Sequence, residues 1–268
     1  MTEQASSHIL KHHVSLGCFS DGERLSNPNG SGTFVSFFVD GKRAYGILTA
    51  AHVARCLPLI VNGAKQQFIG LTKPSQGEAA HACVASFRFM YFSADIRHFH
   101  FSDGSAYRPD IAFILLEIDG FPKHELFEQS EFYDLETDVV FLLEEDTQVL
   151  SGFFRGACPQ AEVSEDGFLN TPVCLGGGEK ICFDDRAFVQ FWHIPNTSRK
   201  SIKGGSGAGF WRFRYDQNRL LMKSFAGVIT AEGPDCDYIE AIAAPYIFET
   251  FLPSLKTQVQ HVLSQAGS

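Results

Sequence analysis

No stretch of this chain approaches the ~20 consecutive apolar residues that a helix needs to cross a bilayer, so no membrane partner is expected. The 7 cysteines, at 18, 56, 83, 158, 174, 182 and 236, are an odd number, scattered and without a C-x-x-C pair. That pattern argues against a disulfide framework and against a zinc ribbon. No metal and no other cofactor is expected. Basic residues are also scarce: 22 Lys and Arg stand against 31 Asp and Glu, for a formal net charge of −9. A broad nucleic-acid surface needs the opposite sign, so no nucleic-acid partner is expected. The opening residues, MTEQASSHILKHHVSLG, lack the basic head and apolar run of an export signal. Reduced thiols and no leader lead to the expectation of a cytoplasmic protein. There are no internal repeats and no low-complexity segments.

What the chain has in quantity is phenylalanine, 26 of its 268 residues, within a composition that is 44% hydrophobic and 20% charged. Short strand-like runs recur between turn residues. They include GTFVSFFV (32–39), RAYGILTAAHV (43–53), IAFILLEI (111–118), DVVFLLEE (138–145), AGFWRFRY (208–215), LLMKSFAGVIT (220–230) and YIEAIAAPY (238–246). Their spacing predicts antiparallel β-structure rather than βαβ units. DGK at 40–42 and YDQN at 215–218 read as hairpin turns. A short helix is expected after TAAH, and a longer one from about Pro245 to Ser264. In the latter, Phe248, Leu252, Leu255, Val259 and Leu263 fall on one face. Pro253 belongs in an early turn of that helix or splits it. Residues 119–137 are acidic and turn-rich and read as a connector between two halves.

Three motifs carry chemistry. GILTAAHVA (46–54) runs a strand through small residues to His52 at a strand-to-helix corner. A histidine there can take and return a proton near neutral pH; a core or capping histidine is the plainer alternative. YRPDIAFILLEI (107–118) places Asp110 just before an apolar strand, where it could accept Nδ1–H of a histidine or simply close a turn after Pro109. SIKGGSGAGF (201–210) frames Ser206 with glycines. Glycines allow backbone angles closed to other residues. Such a loop can aim the amides of Gly204 and Ser206 at one point, where negative charge would be stabilised. It can equally be a flexible loop tip.

Taken together, TAAH, DIAFILL and GGSGAG, in the order His, Asp, Ser, resemble the trypsin-like (chymotrypsin-fold) serine protease family. His52 and Asp110 are 58 residues apart, and Ser206 follows Asp110 by 96. The resemblance spans residues 30 to 250. It implies an all-β fold of two antiparallel six-stranded β-barrels with a C-terminal α-helix. Residues 1–125 would form the barrel carrying His52 and Asp110. Residues 126–268 would form the barrel carrying Ser206, plus the helix, the whole making one peptidase domain. It also implies roles: Ser206 as nucleophile, His52 as base and then acid, Asp110 as orienting carboxylate, and Gly204, Gly205 and Ser206 as the oxyanion hole. SFAGVITAEG (224–233) is similar to the family's substrate-pairing strand, so that Thr230, Ala231 and Glu232 would line the specificity pocket.

Secreted members carry an aspartate before the serine and an Ile-Val-Gly-Gly activation site. Here Gly205 precedes Ser206, and that activation sequence is missing. The chain therefore resembles intracellular bacterial-type members, and a regulated effector acting on protein or peptide substrates is expected. The loop NTSRKSIKGG (196–205) is expected to be set by an activating protein partner. Lys200 falls near the family's pocket floor, where a cation would favour an acidic P1 side chain; a solvated loop charge is the alternative. His98 and His100 alternate in RHFHF (97–101), but no third zinc ligand accompanies them. Two other functions compete. One is a catalytically silent trypsin-fold binding or scaffold module. The other is a serine esterase, against which the chain order and the absence of a parallel-sheet pattern both speak.

Overall fold

A two-residue turn starts the fold's first hairpin. Asp40 and Gly41 lie at φ 50° and 75°, the paired left-handed angles of a type I′ turn, whose twist matches that of the flanking strands. The computed structural model describes residues 3–19, 30–56, 68–72, 82–85, 90–93, 99–100, 106–107, 109–120, 130–136, 149–157, 169–176, 180–181, 189–193, 204–217, 219–235 and 238–266. The chain opens with helix α1 (Glu3–His12) and strand β1 (His13–Phe19). The hairpin joins β2 (Gly30–Val39) to β3 (Lys42–Thr49), and helix α2 (Ala51–Cys56) follows. Next come β4 (Phe68–Thr72), β5 (Ala82–Ala85) and β6 (Met90–Ser93). A separate ribbon, β7 (Phe99–His100) with β8 (Ala106–Tyr107), precedes β9 (Ala112–Ile118) and β10 (Tyr133–Asp134).

The first sheet has the order β5-β4-β1-β2-β3-β9-β6, with β10 added alongside β2. The second is built from β11 (Val149–Ala157), β12 (Leu169–Gly176), β13 (Lys180–Ile181), β14 (Val189–His193), β15 (Gly209–Asp216), β16 (Arg219–Glu232) and β17 (Tyr238–Ala243). Its order is β12-β11-β15-β16-β17-β14-β13. Among the described residues the ladders are antiparallel except β10 on β2. The architecture is thus the expected all-β one with a C-terminal helix, its two halves present as sheets of 8 and 7 strands among the described residues. β10 lies past residue 125 yet pairs with β2, Tyr133 opposite Val35. The acidic connector therefore contributes a strand to the first sheet before the second sheet begins.

The two sheets share one core. Phe37 and Phe113 of the first sheet cluster with Trp211, Phe213 and Phe225 of the second, all fully buried. Tyr133 bridges them, its ring centroid 5.1 Å from Trp211 and 5.6 Å from Phe225. Such aromatic pairs contribute about 0.5–1.5 kcal/mol each beyond the area they bury.

Helix α1 is not visible in the hydropathy of the sequence. Its buried face is Ala5, His8, Ile9 and His12, a helical stripe in which half the members are histidine. His12 stacks on Trp211 at 5.3 Å, and its Nδ1–H donates to the Glu131 carbonyl at 2.6 Å. His8 stands edge-on to Trp211 at 4.8 Å. Burial, above all, pushes His8 down to about 3 and His12 down to about 4.

The C-terminal helix forms as expected but with a defect. α3 (Ala244–Tyr246) passes through a π-turn (Ile247–Phe251) into α4 (Leu252–Ala266). The Leu252 N–H donates to Ile247, five residues back. Pro253 supplies the cause: its ring collides with the carbonyl four residues earlier in a regular α-helix. A wider turn just before it relieves that contact. Leu252, Leu255 and Val259 are buried as the stripe predicted.

The buried histidines generate a testable pH dependence. Folded His8 and His12 hold fewer protons than their unfolded counterparts between pH 6.5 and about 4. Stability is therefore full above 6.5 and falls on acidification through that window, by about 2 kcal/mol at pH 5 from His12 alone. Thermal unfolding between pH 7 and 4.5 should show this slope in wild type and a shallower one in His12→Phe. An unchanged slope contradicts the assignment.

Candidate active site

His52 and Asp110 meet because β3 and β9 are neighbours. Thr49, the last residue of β3, pairs with Ala112, the first of β9. The chain leaves β3 through Ala50 and turns into α2, with His52 in its first turn. On the other strand, Ile111 N–H donates to the Pro109 carbonyl at 3.0 Å. That three-residue turn puts Asp110 at its apex. Ala51, Ala54 and Ala112 pack together, and their small side chains let α2 lie close to the start of β9. The Asp110 carboxylate then engages His52 twice. Oδ1 accepts the His52 backbone N–H at 2.8 Å, and Oδ2 lies 2.5 Å from Nδ1. A carboxylate is an acceptor, so Nδ1 carries the proton and Nε2 is left as the acceptor in the neutral ring. The imidazole is 43% exposed and Asp110 only 22%, so the pair is anchored inside and open to solvent at the ring.

Across from this corner sits the Ser206 loop, connected to both sheets. Gly204 and Gly207 adopt φ of 89° and 87°, angles that favour glycine. The Ser206 carbonyl accepts from the Ser31 N–H at 2.7 Å, and the Gly207 N–H donates to Ile229 at 2.7 Å. The Ala208 N–H donates back to Gly205 at 2.9 Å. A Cβ on Gly207 would strike the Ser31 carbonyl and the Thr49 hydroxyl and come within 3.1 Å of the Ala50 amide nitrogen. A Cβ on Gly30 would fall 2.7 Å from the Ser206 carbonyl and against Val53. The serine loop therefore packs directly on the backbone that leads into His52.

The Ser206 hydroxyl donates to the Thr230 carbonyl at 3.3 Å. Among the described residues no hydrogen bond joins it to His52. Thr230 lies at an irregularity in β16 between Ile229 and Ala231, where Ala231 pairs with Glu240 and Glu232 with Ile239. The Thr230 hydroxyl reaches the Glu240 carboxylate at 3.2 Å. β16 runs on past its last β15 pair, Gly209 with Val228, to Glu232. Lys200 lies outside the described residues, as do His98 and most of the loop 196–205.

Sequence reasoning missed Ser31, Thr49 and Glu240. The Thr49 hydroxyl donates to the Ser31 carbonyl at 2.7 Å, and the Ser31 hydroxyl to Gly204 at 2.7 Å. Ser31 sits in a polar glycine-rich run, NPNGSG, that reads as loop. Nothing short of the strand pairing Ser15–Ser31 reveals it as buried.

No protein-family model matches the chain, and no curated protein matches it in sequence. Solved structures resemble it in fold. One is the scabies mite inactivated protease paralogue S-D1, at 12% identity over 91% of this chain and 92% of that one, TM-score 0.47. Another is a Glu endopeptidase in complex with MPD, at 13% over 91% and 90%, TM-score 0.42. A third comes from work on the coupled folding and binding of Sesbania mosaic virus VPg, at 12% over 90% and 90%, TM-score 0.41. These are likenesses of fold; the chemistry of the site rests on its own geometry.

Gly207 tests that geometry. Gly207→Ala combines a left-handed φ with a collision against Ser31 and Thr49, and should cost on the order of 2–4 kcal/mol. Urea unfolding measures this; a cost below about 1 kcal/mol means the loop is not wedged against the His52 corner as described.

Proposed function

We propose that the chain is a serine endopeptidase working through Ser206, His52 and Asp110. The observation that carries this reading is the doubly bonded Asp110–His52 pair facing a glycine-framed serine loop. In the reaction, Ser206 Oγ forms a bond to the scissile carbonyl carbon, and its proton passes to Nε2 of His52. The carbonyl electron pair moves onto oxygen. The amides of Gly204 and Ser206, with Gly205 between them, stabilise that charge. Asp110, on Nδ1, orients the ring and stabilises the imidazolium without taking the proton. Collapse expels the amine, which takes the proton from His52. Water then repeats the sequence on the acyl-enzyme and frees Ser206.

Two further features support the assignment. The Ser206 hydroxyl is a rotor, and unliganded sites often lack the nucleophile–base bond that substrate completes. The segment Thr230–Glu232 extends beyond the β15 ladder, where an extended peptide could add as a strand. Gly205 in place of an aspartate favours activation by a protein partner acting on the loop 196–205.

The bond from Ser206 to Thr230 instead of His52 is the one observation that favours a catalytically silent binding module. Labelling with a fluorophosphonate probe separates the two. An endopeptidase labels on Ser206, and Ser206→Ala and His52→Ala both abolish the signal. Asp110→Asn should slow labelling by roughly 10³–10⁴-fold, since the wrong tautomer then faces the serine. Wild type that stays unlabelled, even with protein extract added as a source of partner, supports the silent module.

A further inference from the structure

Ser31 bonds to the serine loop with both its backbone and its side chain. Its N–H donates to the Ser206 carbonyl at 2.7 Å, and its hydroxyl donates to the Gly204 carbonyl at 2.7 Å across 173 residues. Its own carbonyl receives the Thr49 hydroxyl. Ser31 and Thr49 are both fully buried. Ser31 is itself held in the sheet, opposite Ser15. A buried hydroxyl ordinarily satisfies itself on nearby backbone; this one reaches into the other half of the molecule.

With these bonds in place, each peptide group of the turn is held. The Ser206–Gly207 group is fastened on both sides, to Ser31 and to Ile229. The Gly205 carbonyl is taken by Ala208. A trans peptide is planar, so the Ser206 N–H must point away from that carbonyl. Among the described residues that N–H has no acceptor. Among the described residues the Gly204–Gly205 group has only the Ser31 hydroxyl. Gly204, at φ 89°, carries no side chain to restrict it. Without the hydroxyl this peptide could turn about its two glycines; it links the Gly204 N–H to the Ser206 N–H, so the two donors would lose their fixed relation.

We propose that Ser31 is a positioning residue for the oxyanion donors: its hydroxyl holds the Gly204–Gly205 peptide and its amide the Ser206–Gly207 peptide, the groups on either side of the one that carries the Ser206 N–H, so that this N–H and that of Gly204 keep the relation in which they converge. The proposal rests on the proteolytic reading of the site. Ser31→Ala removes the hydroxyl and keeps the amide. Two ligands read the consequence: a peptide aldehyde, which Ser206 converts to a hemiacetal oxyanion, and the matching peptide alcohol, which stays in its ground state. Aldehyde affinity should fall at least about 10-fold and kcat by a similar factor, with alcohol affinity and KM unchanged. Ser36→Ala, another buried serine of β2, should leave the aldehyde-to-alcohol ratio as it is. Ser31→Cys, close in size and a weak donor, should show the same split at smaller amplitude and replaces Ser31→Ala if that variant does not fold. Equal loss for both ligands, or loss for neither, overturns the proposal. If wild type binds no aldehyde and takes no fluorophosphonate, the proteolytic reading fails. Amide hydrogen exchange over residues 204–209 then judges the anchor alone. Faster exchange in Ser31→Ala but not in Ser36→Ala upholds it, and equal exchange overturns it.

Discussion

The contact between the start of β2 and the Ser206 loop is the constraint on which the site depends. His52 and Asp110 come from one sheet and Ser206 from the other, so their relation is only as good as the joint between the sheets. That joint is short, a backbone bond with one buried hydroxyl beside it. The Ser206 carbonyl meets the Ser31 amide, and Gly30 has no side chain to keep them apart. The bond from Ser31 N–H to the Ser206 carbonyl leaves little slack, because both of its atoms belong to the main chain. Small residues recur around it for the same reason: Gly30, Gly207, Ala50, Ala51 and Ala54 let three segments approach at backbone distance.

Behind the joint, aromatic packing supplies the rigidity. Trp211 and Phe225 lie on β15 and β16, which flank the serine loop, and Tyr133 reaches them from the first sheet. Helix α1 closes this cluster with His8 and His12, held neutral by burial. β1 continues from α1 without a break and pairs with residues 30–33 of β2. The N-terminal helix is therefore covalently continuous with the strand that supports the joint. At the other end, the C-terminal helix packs Leu255 and Val259 into the same cluster.

Much of this was legible in the sequence, because the strands are strongly patterned and the turns carry specific residues. Asp40-Gly41 announced its hairpin, and IAFILLEI its buried strand. His52, Asp110 and Ser206 could be picked out because each sits in a short stretch whose small or apolar neighbours serve one geometric purpose. The structure brings His52 and Asp110 into contact and sets the Ser206 loop beside them. What stayed hidden has physical reasons. Helix α1 buries histidines, which dilute its apolar stripe. β10 has two residues, too few for any period to show. Ser31 and Glu240 matter through partners 173 and 10 residues away, and only tertiary pairing reveals such bonds. The π-turn follows from Pro253, whose effect in the sequence left a choice between an early turn and a split helix.

The chemistry proposed for the site requires Ser206 to form a covalent acyl intermediate. The most direct measurement is the pre-steady-state release of nitrophenol when purified protein is mixed with a several-fold excess of an activated acyl ester. A burst of about one equivalent per chain is expected, followed by slower turnover, with no burst in Ser206→Ala. Linear release from the first moment, unchanged in Ser206→Ala, would contradict it.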